Sequence, residues 1–249
     1  MTSPDTPAVA TTPAPSPDSG RPDVDLRGLI SSPLMNQGSR PVCVPFTLSH
    51  AHEAAIDITG NDAPMAPEAV WWHCTKLRQV EASGMLLEHG GQAIVRTGQP
   101  SLTDWPWNPR LGVGTEDPPP AVGQPPWHTA TMMPLLLIHD GTENGIEDVL
   151  AAGIPVVLVV EVAAEFENAD ANGAIEVPDI RSPAGDYHAV LVVGAATDPV
   201  RGRCLLVRNS WGEFWGAGGY GWLPMDYLIA YAVQAAVVTT RRLRKDERA

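Results

Sequence analysis

A thiol, an imidazole and two amides are spaced along this chain in a way that could support acyl transfer: Cys43, His188, Asn209 and Gln37. Cys43 stands at the head of a helix-like run, Phe46 to Ile58, behind a turn carrying Gly38 and Pro41. A cysteine is a weak nucleophile until its pKa falls, and a helix N-terminus favours the thiolate through its free N–H groups and macrodipole. Gln37, six residues before the cysteine, can return across the turn and aim its side-chain amide at an oxygen on the attacked carbon, as an oxyanion hole requires. His188 opens the apolar, β-branched run Ala189 to Gly194, which reads as a buried strand. Asn209 and Trp211 close another such run, Cys204 to Arg208, where an amide can orient the far ring nitrogen and an indole can keep that bond dry. Taken singly, Cys43 reads as a small buried hydrophobe, His188 as a core histidine and Asn209 as a strand-end turn residue. The joint pattern favours a thiol enzyme.

Three stretches, in order and with fitting gaps, resemble the papain family of cysteine peptidases: Asn36-Gln37-Gly38-Ser39 with Cys43 and Phe46; His188-Ala189-Val190; and Asn209-Ser210-Trp211-Gly212 with Trp215-Gly216 and Gly219-Tyr220. In such enzymes the histidine and asparagine follow the cysteine by roughly 130 to 150 residues. His188 lies 145 residues after Cys43, and Asn209 falls somewhat past the window. Connecting segments such as Asp104-Trp105-Pro106-Trp107 and Gly145 to Val156 resemble the intracellular-type bacterial branch, and the similarity runs from about Asp25 to Val238. The resemblance implies an α+β fold of two lobes, a mainly helical one over about 43–110 and a β-barrel-like one over about 127–240, with the cleft between them. It implies Cys43 as nucleophile, His188 as base, Asn209 as orienter and Gln37 as oxyanion donor. Gly84, Tyr187, Ala189 and Trp211 are then the residues expected to line the substrate, Gly90-Gly91 being a weaker alternative for Gly84. No cofactor and no metal are implied, and the partner is a peptide or protein substrate.

The departures sit around the nucleophile. Where such enzymes carry C-G-[SA]-C-[WY], this chain has Arg40-Pro41-Val42-Cys43-Val44. Arg40 replaces the upstream cysteine, so the disulfide implied by the resemblance cannot form. Pro41 removes a backbone donor and fixes φ, and Tyr187 stands where Gly or Asp often precedes the histidine. Narrowing of the cleft by these residues leaves two alternatives open beside peptide hydrolysis: an acyltransferase or dedicated peptide-maturation enzyme of the same fold, and a binding protein that has lost turnover.

The elements that must position these groups are readable in outline. With 249 residues, 44% of them hydrophobic and 18% charged, the chain can build a substantial core. Its net charge of −13 disfavours nucleic acid and anionic membranes. Only three cysteines occur, and a Cys74–Cys204 bridge is not expected because the two fall in different lobes; so few cysteines fit a reducing, cytoplasmic setting. No h-region follows Met1 and no run of 18 apolar residues occurs, so neither a secretory signal nor a membrane span is expected. Oligomeric state is not legible.

Residues 1–24 form a Pro/Ser/Thr-rich tail too polar to order itself, and it is unlike the long helical pro-segment of papain-like enzymes. Helices are expected at Cys43–Ile58, Pro67–Val80 and from Met85 to Val95, with His50 and His52 as exposed polar residues on the first. Trp71 and Trp72 are expected as core anchors, and His73 with Cys74 lacks the further ligands a zinc site needs. Leu111 to Pro126 is a stiff, extended linker. An amphipathic helix over 141–153, a strand over 154–162, an acidic loop over 165–180, the histidine and asparagine strands, and a closing strand over 232–239 follow. The last nine residues are a basic tail.

Overall fold

Twelve consecutive residues of mostly β-branched or small apolar type, Tyr187 to Asp198, form the longest strand and the axis of the molecule. The computed structural model describes residues 20–57, 64–137, 141–179 and 186–240; most of the proline-rich tail, Ile58, Ile180 and the basic C-terminal tail lie outside them. Among the described residues seven antiparallel strands make one sheet: β1 (Val24–Asp25), β2 (Thr131–Leu135), β3 (Val156–Glu161), β4 (Tyr187–Asp198), β5 (Gly202–Arg208), β6 (Tyr220–Pro224) and β7 (Ala232–Thr239). The order is β2-β7-β3-β4-β5-β6, with β1 added to β4. That addition needs Gly194, because a Cβ there would sit 2.4 Å from the Val24 carbonyl oxygen. Residues 20–24, at the end of the expected tail, join the described fold. Val24 is a strand residue, the Pro22 carbonyl accepts from Arg203 at 2.8 Å, and Arg21 meets Asp148 at 2.6 Å.

Strand side chains alternate faces, and β4 uses both. Ala189, Leu191 and Val193 pack with Val44, Leu48 and Ala51, whereas Val190 and Val192 pack with Ile146, Leu150 and Tyr227. The first set meets helix α1 (Cys43–Asp57), which is flanked by α2 (Pro67–Lys76) and α3 (Leu87–Arg96). The second set is closed by α4 (Thr142–Ala151) and α6 (Met225–Tyr231), with the short α5 (Ala164–Glu167) supplying Phe166. The arrangement is α+β, with α1 to α3 on one side of the sheet.

α1 is covered all round, and this corrects one expectation. His50 and His52 do point to different faces of the helix, but both faces are packed, and the two rings are 3% and 0% exposed. His52 Nδ1 lies 3.0 Å from Gln99 Oε1, and His50 stands edge-on to Phe46. Burial lowers both imidazoles, His50 well below its usual value and His52 to about 4.

Other expectations shift by a few residues. α2 stops at Lys76 instead of Val80, since Arg78 takes a positive φ of 56°. Trp71 is fully buried, while Trp72 is half-exposed and packs edge-on to Trp105. Cys74 packs in the core around α1, Cys204 is buried on β5, and both are free thiols. The stretch 111–126 is not a bare extended linker. It carries a 3-10 turn at Pro120–Val122 and folds back on α2, where Trp71 Nε1 donates to the Gly114 carbonyl at 2.9 Å.

Candidate active site

The turn before α1 and the segment just after β5 are stitched together by backbone. Gln37 N–H donates to the Ser210 carbonyl at 2.8 Å and Gly212 N–H to the Met35 carbonyl at 3.2 Å, around a bridge between Asn36 and Trp211. Gln37 is thereby carried to the segment that holds Asn209. Its side chain is 8% exposed and fixed at both ends: Oε1 accepts from Ser210 Oγ at 2.6 Å, and Nε2 donates to the Arg40 carbonyl at 2.9 Å. An amide nitrogen has two hydrogens, so one remains for a further acceptor.

His188 lies at the start of β4, opposite Val160, and is 4% exposed. Its Nε2 is 2.7 Å from Asn209 Oδ1, which also accepts from the Ser210 N–H at 2.7 Å. An amide oxygen only accepts, so Nε2 carries the hydrogen and Nδ1 keeps its lone pair. Trp211 lies over the imidazole with ring centres 4.4 Å apart, and Phe166 meets His188 at 6.0 Å and Trp211 at 5.7 Å. This aromatic wall keeps water from the His188–Asn209 bond.

Cys43 is the first residue of α1 and is half-buried. Its sulfur lies within reach of the backbone N–H groups of Ala189, Val44 and Cys43 itself, so it sits beside the strand residue that follows His188. Thr47 Oγ1 ties the same strand to α1 by donating to the Ala189 carbonyl at 2.9 Å. Burial pushes the Cys43 thiol up, and the three N–H groups oppose that with smaller effect. Burial likewise drops His188 to about 4, against the Asn209 bond, which raises it. Both directions favour an uncharged thiol and a neutral imidazole. The helix terminus alone therefore does not preform the thiolate.

The remaining sequence-predicted residues fall around this centre unequally. Gly84 lies against the turn before Cys43, with φ of +131° and a Cβ position 3.4 Å from the Pro41 carbonyl oxygen, a backbone shape that favours glycine. Gly90 and Gly91 do not share that position. They are packing residues of α3, where a Cβ would strike Leu48 or Met132. Tyr187 is 60% exposed, next to His188 and opposite Glu161, whereas Ala189 is buried against α1. Sequence reasoning passed over Ser210, Thr47, Phe166 and the side chain of Arg40. Ser210 stood inside the Asn-Ser-Trp-Gly run, and the others carried no local signal. Among the described residues no group of three or more His, Cys, Asp or Glu side chains could hold a metal.

A half-buried thiol at the head of α1 and an amide-bonded imidazole at the start of β4 are groups that thiol chemistry can use. Comparison with known proteins narrows it. The family described as "Papain family cysteine protease" matches residues 24–239. Bovine (Bos taurus) pro-cathepsin H is 28% identical over 209 residues, covering 80% of this chain and 58% of that protein. Cathepsin L-like proteinase of Fasciola hepatica is 27% identical over 147 residues, 55% of this chain and 39% of the relative. The chain thus spans little more than half the length of the longer-matching curated relative. The crystal structure of xylellain, a cysteine protease from Xylella fastidiosa, has a TM-score of 0.73 at 21% identity, covering 95% of each chain. The chain belongs to the papain family of cysteine proteases. No helix among the described residues is long and apolar enough to cross a membrane.

Proposed function

We propose that the protein is a working cysteine peptidase in which Cys43, His188, Asn209 and Gln37 carry the reaction. As the Cys43 sulfur bonds to a substrate carbonyl carbon, its proton passes to His188 Nδ1, and the carbonyl oxygen becomes an oxyanion. The second hydrogen of Gln37 Nε2 and the Cys43 backbone N–H stabilise that oxyanion. Collapse breaks the C–N bond, the His188 imidazolium gives its proton to the leaving amine, and a thioester remains on Cys43. Water, losing a proton to His188, then releases a carboxylic acid and the free thiol. Asn209 keeps Nε2–H occupied so that Nδ1 faces the sulfur, and Trp211 with Phe166 excludes water from that bond.

The observation that carries this reading is the doubly tied Gln37 amide. Ser210 fixes its oxygen, so its nitrogen can only face the turn that ends in Cys43. A chain kept only for binding has no need of that orientation. Substrate is an extended peptide or protein segment, with Gly84, Tyr187 and Trp211 lining its path, while Ala189, packed on α1, stands behind it.

An electrophilic thiol probe at neutral pH, with the modified residue mapped by mass spectrometry, tests the assignment. Labelling of Cys43 well ahead of Cys74 and Cys204 is expected, because Cys43 is half-buried at the head of α1 whereas the other two thiols are 0% exposed. Equal labelling of the three favours a binder. A peptide ester supplied with a free amine then separates hydrolysis, which yields acid, from acyl transfer, which yields the amide.

A further inference from the structure

Arg40 has a buried guanidinium, 1% exposed, in the turn that carries the nucleophile. All five of its N–H groups have acceptors. Nη1 and Nη2 grip both carboxylate oxygens of Glu68 on α2, itself 0% exposed. Nη1 also reaches the Asn108 carbonyl at 2.7 Å, Nε the Gly112 carbonyl at 2.9 Å, and Nη2 the Gly114 carbonyl at 3.5 Å. The Trp107 ring lies 4.3 Å from Cζ and closes one face. Trp107 is pinned in turn, edge-on to Phe46 at 4.8 Å and with Nε1 donating to the Asn36 carbonyl at 3.2 Å. The Asn108 N–H adds a bond to Glu68 Oε1 at 3.0 Å.

The two backbone carbonyls caught in this knot bracket the oxyanion donor. Asn36, whose carbonyl accepts from Trp107, is the residue before Gln37. Arg40, whose side chain is locked, offers its own carbonyl to Gln37 Nε2. We propose that Arg40, Glu68 and Trp107 are positioning residues for the oxyanion hole, an ion-pair staple that fixes the Gln37 amide and holds segment 105–116 against the catalytic turn. The inference rests on the catalytic reading of Gln37 above. An arginine fork suits this task and a lysine does not, since a single ammonium cannot meet acceptors on α2 and on a distant loop in one plane. Such a staple contains no sulfur, so reductant strong enough to keep Cys43 active leaves the site's geometry intact.

The test uses Trp107→Phe and Arg40→Lys with three readouts: steady-state kinetics on a fluorogenic peptide amide selected from a library for wild-type turnover, the rate of Cys43 alkylation by iodoacetamide, and the same substitutions in a Gln37→Ala background. Alkylation needs the sulfur but no oxyanion hole. Trp107→Phe keeps an aromatic ring at the guanidinium but loses the indole N–H and its hydrogen bond, so kcat should fall about five- to ten-fold. Arg40→Lys should approach the roughly 10²-fold loss seen when an oxyanion donor is removed. KM and alkylation should stay within about two-fold, and neither substitution should lower kcat further once Gln37 is alanine. If Arg40→Lys does not fold, Trp107→Phe decides. Unchanged kcat in folded variants overturns the proposal, and so does a parallel fall of kcat and alkylation or an undiminished effect in the Gln37→Ala background. Turnover surviving Cys43→Ala would instead sink the underlying catalytic reading.

Discussion

The half of the site supplied by the sheet and the half supplied by the turn are held by different means. His188, Asn209, Ser210 and Trp211 come from paired strands and their ends, where the imidazole finds both its amide and its indole. The His188–Asn209 bond of 2.7 Å spans residues 21 apart, on β4 and just beyond its neighbour β5. Gln37 and Cys43 come from a turn whose shape depends on Glu68, Trp107 and carbonyls near residue 112, as many as 74 positions away. Strand pairing makes one half nearly self-sufficient; the other is only as rigid as a buried ion pair between elements. Removing one partner of such a pair typically costs about 3–5 kcal/mol, so the turn is where substitutions should couple stability to rate.

Breaking each half in turn sharpens that contrast. Gln37→Ala removes the side-chain oxyanion donor and should lower kcat by about 10²–10³-fold with little change in KM, measured by steady-state kinetics. Asn209→Ala leaves Nε2–H of His188 without an acceptor but keeps the aromatic wall of Trp211 and Phe166, so a smaller loss is expected, about ten-fold. Equal losses for the two would mean that the halves are not distinct.

A smaller effect separates the fold's interior from the site. His52 and His188 are both held neutral by burial, with folded values of about 4 against an ordinary 6.5. The unfolded chain binds more protons in that window. Stability is therefore full above pH 6.5 and lost as pH falls towards 4, by about 1.4 kcal/mol per pH unit for each histidine. Urea midpoints from pH 7.5 to 5 should fall accordingly, and His52→Gln should flatten part of the slope while sparing the pH dependence of kcat. A flat profile, or a His52→Gln variant with altered kcat titration, breaks the distinction between the two histidines.

The same contrast explains what was legible in the sequence. The histidine and asparagine strands, the helix headed by Cys43 and the closing strand could be read because strand and helix periodicities are local. Ser210 lay in plain view inside its motif, yet its role needed the 2.6 Å contact with Gln37 Oε1. Arg40 could be read only as the loss of a disulfide; nothing local says that Glu68 receives its fork. His50 and His52 were misplaced for a related reason. Their helical spacing correctly separates their faces, but only the tertiary arrangement covers both, with the sheet on one side and α2 and α3 on the other. Residues 111–126 read as linker because proline content is local evidence, and the carbonyls that serve Arg40 and Trp71 are not.

The central claim is that Cys43 forms the covalent intermediate. Mixing the protein with a peptide ester, quenching in acid within the first turnover and mapping the adduct by mass spectrometry tests it directly. The account predicts an acyl group on Cys43 that appears in a burst, persists longer in Gln37→Ala, and is absent from Cys43→Ala together with all turnover. Turnover with no adduct on Cys43, or undiminished in Cys43→Ala, would contradict it.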